Sequence, residues 1–103
     1  MLYHTATWTQ HADPAQRQAQ MDFALALAAY AAAKFPDANI QILANINTPH
    51  AYWFDTHESL GAWEAANEEL NQDKGWQTMM AKGTAEGLVP PDISHHFFKV
   101  VST

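Results

Sequence analysis

The run from Pro14 to Phe35, stopped by Pro36, fixes the frame of this chain. Asp13 is a good N-cap, and Pro14 suits the first helical position, where its missing N–H costs nothing. Alanines fill much of the run, so the segment reads as one long, slim helix, with Met21, Leu25, Ala28, Ala32 and Phe35 as its apolar stripe. A helix of small residues can lie close against a sheet. The sequence on both sides supplies one.

Residues 2–10 alternate, with Leu2, His4, Ala6 and Trp8 on one side and Tyr3, Thr5, Thr7 and Thr9 on the other. Period two with β-branched residues predicts a strand. The stretch "NIQILANIN" (Asn39 to Asn47) alternates again, Thr48-Pro49 has turn chemistry, and "HAYWFD" predicts the returning strand of a hairpin. Next comes a polar join. Asp55 with Glu58, or Thr56 with Ser59, matches a capping box. Helix capping alone accounts for this join without any catalytic role. Leu60, Trp63 and Leu70 then mark a helix that kinks near Lys74-Gly75 and continues to Lys82. A looser segment leads to a last strand, "ISHHFFKVV".

The order is strand, helix, strand, strand, broken helix, strand. That predicts an α+β, ferredoxin-like βαββαβ domain spanning residues 1–103, with a four-stranded antiparallel sheet and helices on one face. The chain has 103 residues, 48% hydrophobic and only 16% charged. Such a chain forms one core, and the sheet face without helices needs a cover. A second copy of the chain is the expected partner, giving a homodimer.

Charge narrows function. The formal net charge is −6, and Arg17, Lys34, Lys74, Lys82 and Lys99 are scattered. Nucleic acids and anionic membranes need clustered cations, so neither is expected as a partner. No cysteine is present, which removes disulfides and thiolate chemistry and fits a cytoplasmic location. "MLYHTATWTQ" has no charged region leading into an apolar core, so no signal peptide is expected. The apolar run "FALALAAYAAAKF" is too short and alanine-rich for a membrane span. The six histidines show no HxH, HxxxH or HExxH spacing, so no metal site is expected.

The chain resembles the dimeric α/β-barrel superfamily, in which two ferredoxin-like protomers pack sheet to sheet. "FDTHESLGAW" is similar to the strand-to-helix join of the antibiotic-biosynthesis monooxygenase and NIPSNAP-like branches, and "NQDKGWQTMMAKG" to an Asp-x-x-Trp-Gln helix of NIPSNAP-like proteins. Its size also resembles the RedY/HapK-type proteins of secondary-metabolite clusters. The resemblance implies a small-molecule protein of secondary or aromatic, polyketide-type metabolism, working without metal or organic cofactor by oxygenation, condensation or cyclisation. A non-catalytic binding protein or a structural dimer is the alternative. The haem-degrading branch fits poorly: residues 58–94 hold no histidine, and Ala6 stands where that branch has an asparagine.

Strand parity selects candidate site residues. If Ile40, Ile42 and Ile46 meet the helices, Asn45 and Asn47 point to the open face. An even hairpin loop puts Tyr52 and Phe54 beside them, whereas an odd one substitutes Trp53. Thr5 and Thr7 are expected on that same face. His95 and His96 must face opposite ways. Lys99 shares a side with His95 and is a poor fit beneath helices, so His95 is expected with the asparagines. The expected site is therefore His95 as general base, with Thr5, Asn45, Asn47, Tyr52 and Phe54 binding a small aromatic or polyketide-like molecule. His4 is expected on the helix side as a hydrogen-bonded core residue.

Overall fold

Asp13 and Pro14 act as the sequence predicts. In the computed structural model, which describes residues 1–101, helix α1 spans Pro14–Lys34, and the Asp13 carboxylate accepts a hydrogen bond from the Gln16 amide. Strand β1 (Leu2–Thr9) precedes it. A short 3-10 turn, Pro36–Ala38, leads through Asn39, at φ 52°, into β2 (Gln41–Ala44). Beyond it come β3 (His50–His57), α2 (Leu60–Gln72), α3 (Lys74–Ala85) and β4 (Ser94–Lys99). The strands lie in the order β2-β3-β1-β4 and pair antiparallel throughout, the ferredoxin-like arrangement with the helices on one face. Among the described residues, no helix is long and apolar enough to cross a membrane.

Several details differ from expectation. The inward stripe of α1 is Gln20, Ala24, Leu27 and Ala31, while Leu25 is half exposed. The same helix also packs against α3, where Phe23 occupies the space a Cβ on Gly83 would need. Strand β2 is shorter than expected because the Asn45 side chain starts the turn, accepting hydrogen bonds from the amides of Asn47 and Thr48. Ile46 is consequently solvent-exposed in the turn instead of lying beneath the helices.

The break between α2 and α3 falls at Asp73, one residue before the expected kink. Its carboxylate caps α3 by accepting from the Trp76 amide, and also accepts from the Tyr30 hydroxyl of α1. Lys34 lies 3.3 Å away. The Tyr30 bond, followed by the Trp76 bond, holds the Asp73 carboxyl at a pKa of about 2. The tyrosine ring sits so close to Gly75 that any side chain there would strike it.

The polar join differs most. Ser59 caps α2 by accepting from the Ala62 amide, whereas Asp55 and Thr56 stay within β3 and are buried. Asp55 is therefore not a helix cap. Its partners are His4 on the neighbouring strand and His57 on its own.

The space between sheet and helices is sparsely filled. The buried apolar residues are Trp8, Ala24, Leu27, Ala31, Ala38, Ala51 and Leu70, and no large side chain among the described residues is fully enclosed. Alanines bury little volume. The two layers consequently hold a cavity between them.

Candidate functional site

The register of β1 against β3 places His4 opposite Asp55 on the helix-facing side. Both are almost completely buried, so each must find a partner. His4 Nδ1 lies 2.6 Å from Asp55 Oδ1, and His57 Nε2 lies 3.1 Å from Asp55 Oδ2. On the other side of β1, His4 Nε2 lies 2.9 Å from His95 Nδ1 on β4. Three imidazoles and one carboxylate form an unbroken chain across three strands.

Hydrogen-bond logic sets the proton positions. A carboxylate only accepts, so His4 donates from Nδ1 and His57 from Nε2. A neutral His4 then presents a lone pair at Nε2, which accepts from His95 Nδ1–H. That leaves His95 Nε2 as an acceptor with no protein partner among the described residues. Burial works against ionisation of Asp55, but the hydrogen bonds from His4 and His57 outweigh it and hold the carboxyl below its usual range. Burial, reinforced by the neighbouring His4, pushes His95 below the ordinary imidazole range, which favours its neutral form.

Aromatic rings hold this chain in position. The Trp63 ring on α2 lies 4.9 Å from that of His4, and Phe97 lies 5.0 Å from His4 and 4.7 Å from Trp63. The cavity beside them has a volume of about 400 Å³ and is lined by all four tryptophans of the chain: Trp8, Trp53, Trp63 and Trp76. Among the described residues, His4, Asp55, His57 and His95 are the only titratable ones in its wall, and no lysine or arginine lines it.

His95 faces the helices, contrary to expectation. It pairs with Ala6, and Lys99 does lie on the same side. The expectation failed because β4 is an edge strand whose full length is exposed, so Lys99 stays in solvent without sitting beneath a helix. The other expected residues do not join His95. Thr5, Tyr52 and Phe54 share the open face, where Phe54 pairs with Thr5 and Tyr52 with Thr7. Asn45 and Asn47 sit in the β2–β3 turn. None of these five lines the cavity. Sequence reasoning placed His4 in the core, as observed, but missed Asp55, His57 and Trp63 as its companions. The alternation of Asp55 and His57 on one strand was the available signal.

Among the described residues, no group of three or more metal-ligating side chains is arranged to hold an ion. Both oxygens of Asp55 are already bonded to imidazoles, and the network is extended, whereas a metal site needs ligands that converge.

No protein-family model matches the chain, and no curated protein matches it. Solved structures do. A NIPSNAP-domain protein from Burkholderia xenovorans is similar at 14% identity with a TM-score of 0.70, covering 99% of this chain and 96% of that one. SnoaB, a cofactor-independent oxygenase from Streptomyces nogalater, is similar at 15% identity and a TM-score of 0.66, covering 99% and 94%. A NIPSNAP family protein from Agrobacterium tumefaciens is similar at 10% identity and a TM-score of 0.71, covering 94% and 82%. The fold is the one shared by these NIPSNAP and antibiotic-biosynthesis monooxygenase-like proteins. At such identities the likeness carries the fold and nothing about reaction.

Proposed function

We propose that the chain is a small-molecule enzyme of secondary or aromatic metabolism that begins its reaction by removing a proton from a ligand in the helix–sheet cavity, with no metal or organic cofactor. The observation that carries this reading is the hydrogen-bonded series Asp55–His4–His95 at the wall of an apolar cavity. His95 Nε2 takes the proton. Its Nδ1–H then donates more strongly to His4, whose own Nδ1–H leans on the Asp55 carboxylate, so the new positive charge is offset inside the wall. The tryptophans favour a flat aromatic or polyketide-like ligand, and the lack of lysine and arginine in the wall disfavours a free carboxylate or phosphate.

The carbanion or phenolate formed has two fates. Attack on a carbonyl of the same ligand gives condensation or cyclisation. Attack on dioxygen gives oxygenation, the reaction type named for SnoaB, a protein of the same fold. Comparing turnover with and without air separates the two.

A second copy of the chain is proposed to cover the open sheet face, enclosing Thr5, Tyr52 and Phe54 in a barrel interior. The helix-free face, with Leu43 and Phe98 about half exposed, supports that pairing.

Base catalysis can be tested without knowing the ligand. Nitrobenzisoxazole is neutral and aromatic, and loss of its ring proton breaks an N–O bond to give a coloured phenolate. The protein should accelerate this elimination, and His95→Ala should lower the rate by about 100-fold or more. A wild-type rate no better than free imidazole, or an unchanged rate in His95→Ala, would refute the proposal.

A further inference from the structure

The network has a second open end. His57 lines the same cavity, its side chain is 10% exposed, and its Nδ1 has no partner among the described residues. Both arms point their N–H groups inward at Asp55, so the outward nitrogens, His95 Nε2 and His57 Nδ1, are the two positions able to exchange protons with a ligand. We propose that His57 and His95 are alternating proton sites at opposite ends of one network, sharing the single negative charge of Asp55, so that one end serves as acid while the other serves as base. This rests on the base role given to His95 above and adds a partner to it.

Charge balance is the reason. One carboxylate can offset one imidazolium at contact distance, and a second imidazolium in the same network would be repelled by the first. His57 touches the carboxylate directly, whereas His95 is separated from it by the His4 ring. A proton carried at His57 would sit against the carboxylate itself, and the proposed resting state holds it there. Nothing else in the wall interferes, because α1, α2 and α3 contribute only uncharged side chains there. On β4, Lys99 shares the side of His95 but stays in solvent, and His96 lies on the opposite face and disfavours charge on His95.

The chemistry that uses such a pair is a redox-neutral proton shift. His95 Nε2 takes a proton from an acidic C–H, the electron pair moves through a conjugated system, and a second atom of the ligand takes a proton from the His57 imidazolium. The ligand leaves as an isomer or a ring-closed product. His95 then carries the charge that His57 has lost, and exchange with water restores the resting state. Because the two ends lie on different strands, β3 and β4, with β1 between them, the reacting positions must be several bonds apart. A neutral, extended conjugated carbonyl compound meets these requirements.

Ring-nitrogen NMR of the histidine-labelled full chain, followed through pH, tests the sharing without any ligand. In the wild type, His57 signals should respond in step with the titration of His95. In His57→Gln the titration of His95 should move up by about one pH unit. Glutamine can still donate to Asp55 but cannot carry a proton, so an unmoved His95 titration would reduce His57 to a positioning role and overturn the proposal. Should that variant fail to fold, wild-type titrations of His57 and His95 that ignore one another overturn it equally. The elimination assay keeps the readings apart: coupled titration without elimination defeats only the base role, and elimination without coupling defeats only the sharing.

Discussion

The two faces of this sheet come from the same strands, yet they treat polar side chains in opposite ways. On the helix side, His4, Asp55 and His57 are covered and linked into one network with His95. On the open side, Thr5, Thr7 and Tyr52 are only partly buried, and no side-chain hydrogen bonds join them. The difference is water. Where helices exclude it, a polar group must be paired, and the pairing fixes both geometry and protonation. Where solvent reaches, threonine and tyrosine can satisfy themselves.

The largest effect on stability should therefore come from the centre of the network. Asp55→Ala would leave two imidazoles without their acceptor and should cost on the order of 2–4 kcal/mol in urea unfolding. The same contrast has a pH signature. Asp55 has a lowered carboxyl pKa, so its contribution is present above the ordinary carboxylate range and is lost as pH falls through the lowered value. His95 also has a lowered pKa; its share is complete above the ordinary imidazole range and declines as pH drops toward the folded value. Wild-type stability should thus decline with acid in two stages, and His95→Phe should remove the upper one. A single stage in the wild type would mean that the network is not what acid breaks.

Phe54→Ala on the open face should act differently. Its ring lies 5.7 Å from Tyr3 and is partly exposed, so the protomer should lose only about 1 kcal/mol. Sedimentation should show the larger change, toward monomer. Unchanged association would remove Phe54 from the proposed contact between copies.

The smallest effect belongs to Asn45→Ala. It removes the side chain that starts the β2–β3 turn and should cost below about 1 kcal/mol, leaving nitrobenzisoxazole elimination untouched. Loss of elimination in Asn45→Ala would tie the turn to the cavity and blur the distinction between the faces.

Local signals carried much of the fold. Asp13-Pro14 marked the helix start, period-two runs marked β1 and β2, and the turn at Thr48-Pro49 implied the returning β3. Hairpin parity put Tyr52 and Phe54 on one face, although the turn centres on Asn47-Thr48, earlier than the Thr48-Pro49 or Pro49-His50 expected. The site depends on pairings that no local pattern encodes. His4 meets His95 across 91 positions of sequence, and Asp55 mimics a helix cap until the register of β1 against β3 is known. Lys99 misled for a related reason: its alternation was read correctly, but the extent of helix cover over β4 is a property of the whole layer.

The clustering of all four tryptophans has an optical consequence. Every indole in the molecule borders the same cavity, so nearly all of the intrinsic emission under long-wavelength ultraviolet excitation originates beside the proposed ligand position. Protonation of a neighbouring imidazole, entry of a ring or displacement of water should each alter its intensity or colour. Without any label, the unmodified chain can serve as its own reporter for finding what it binds.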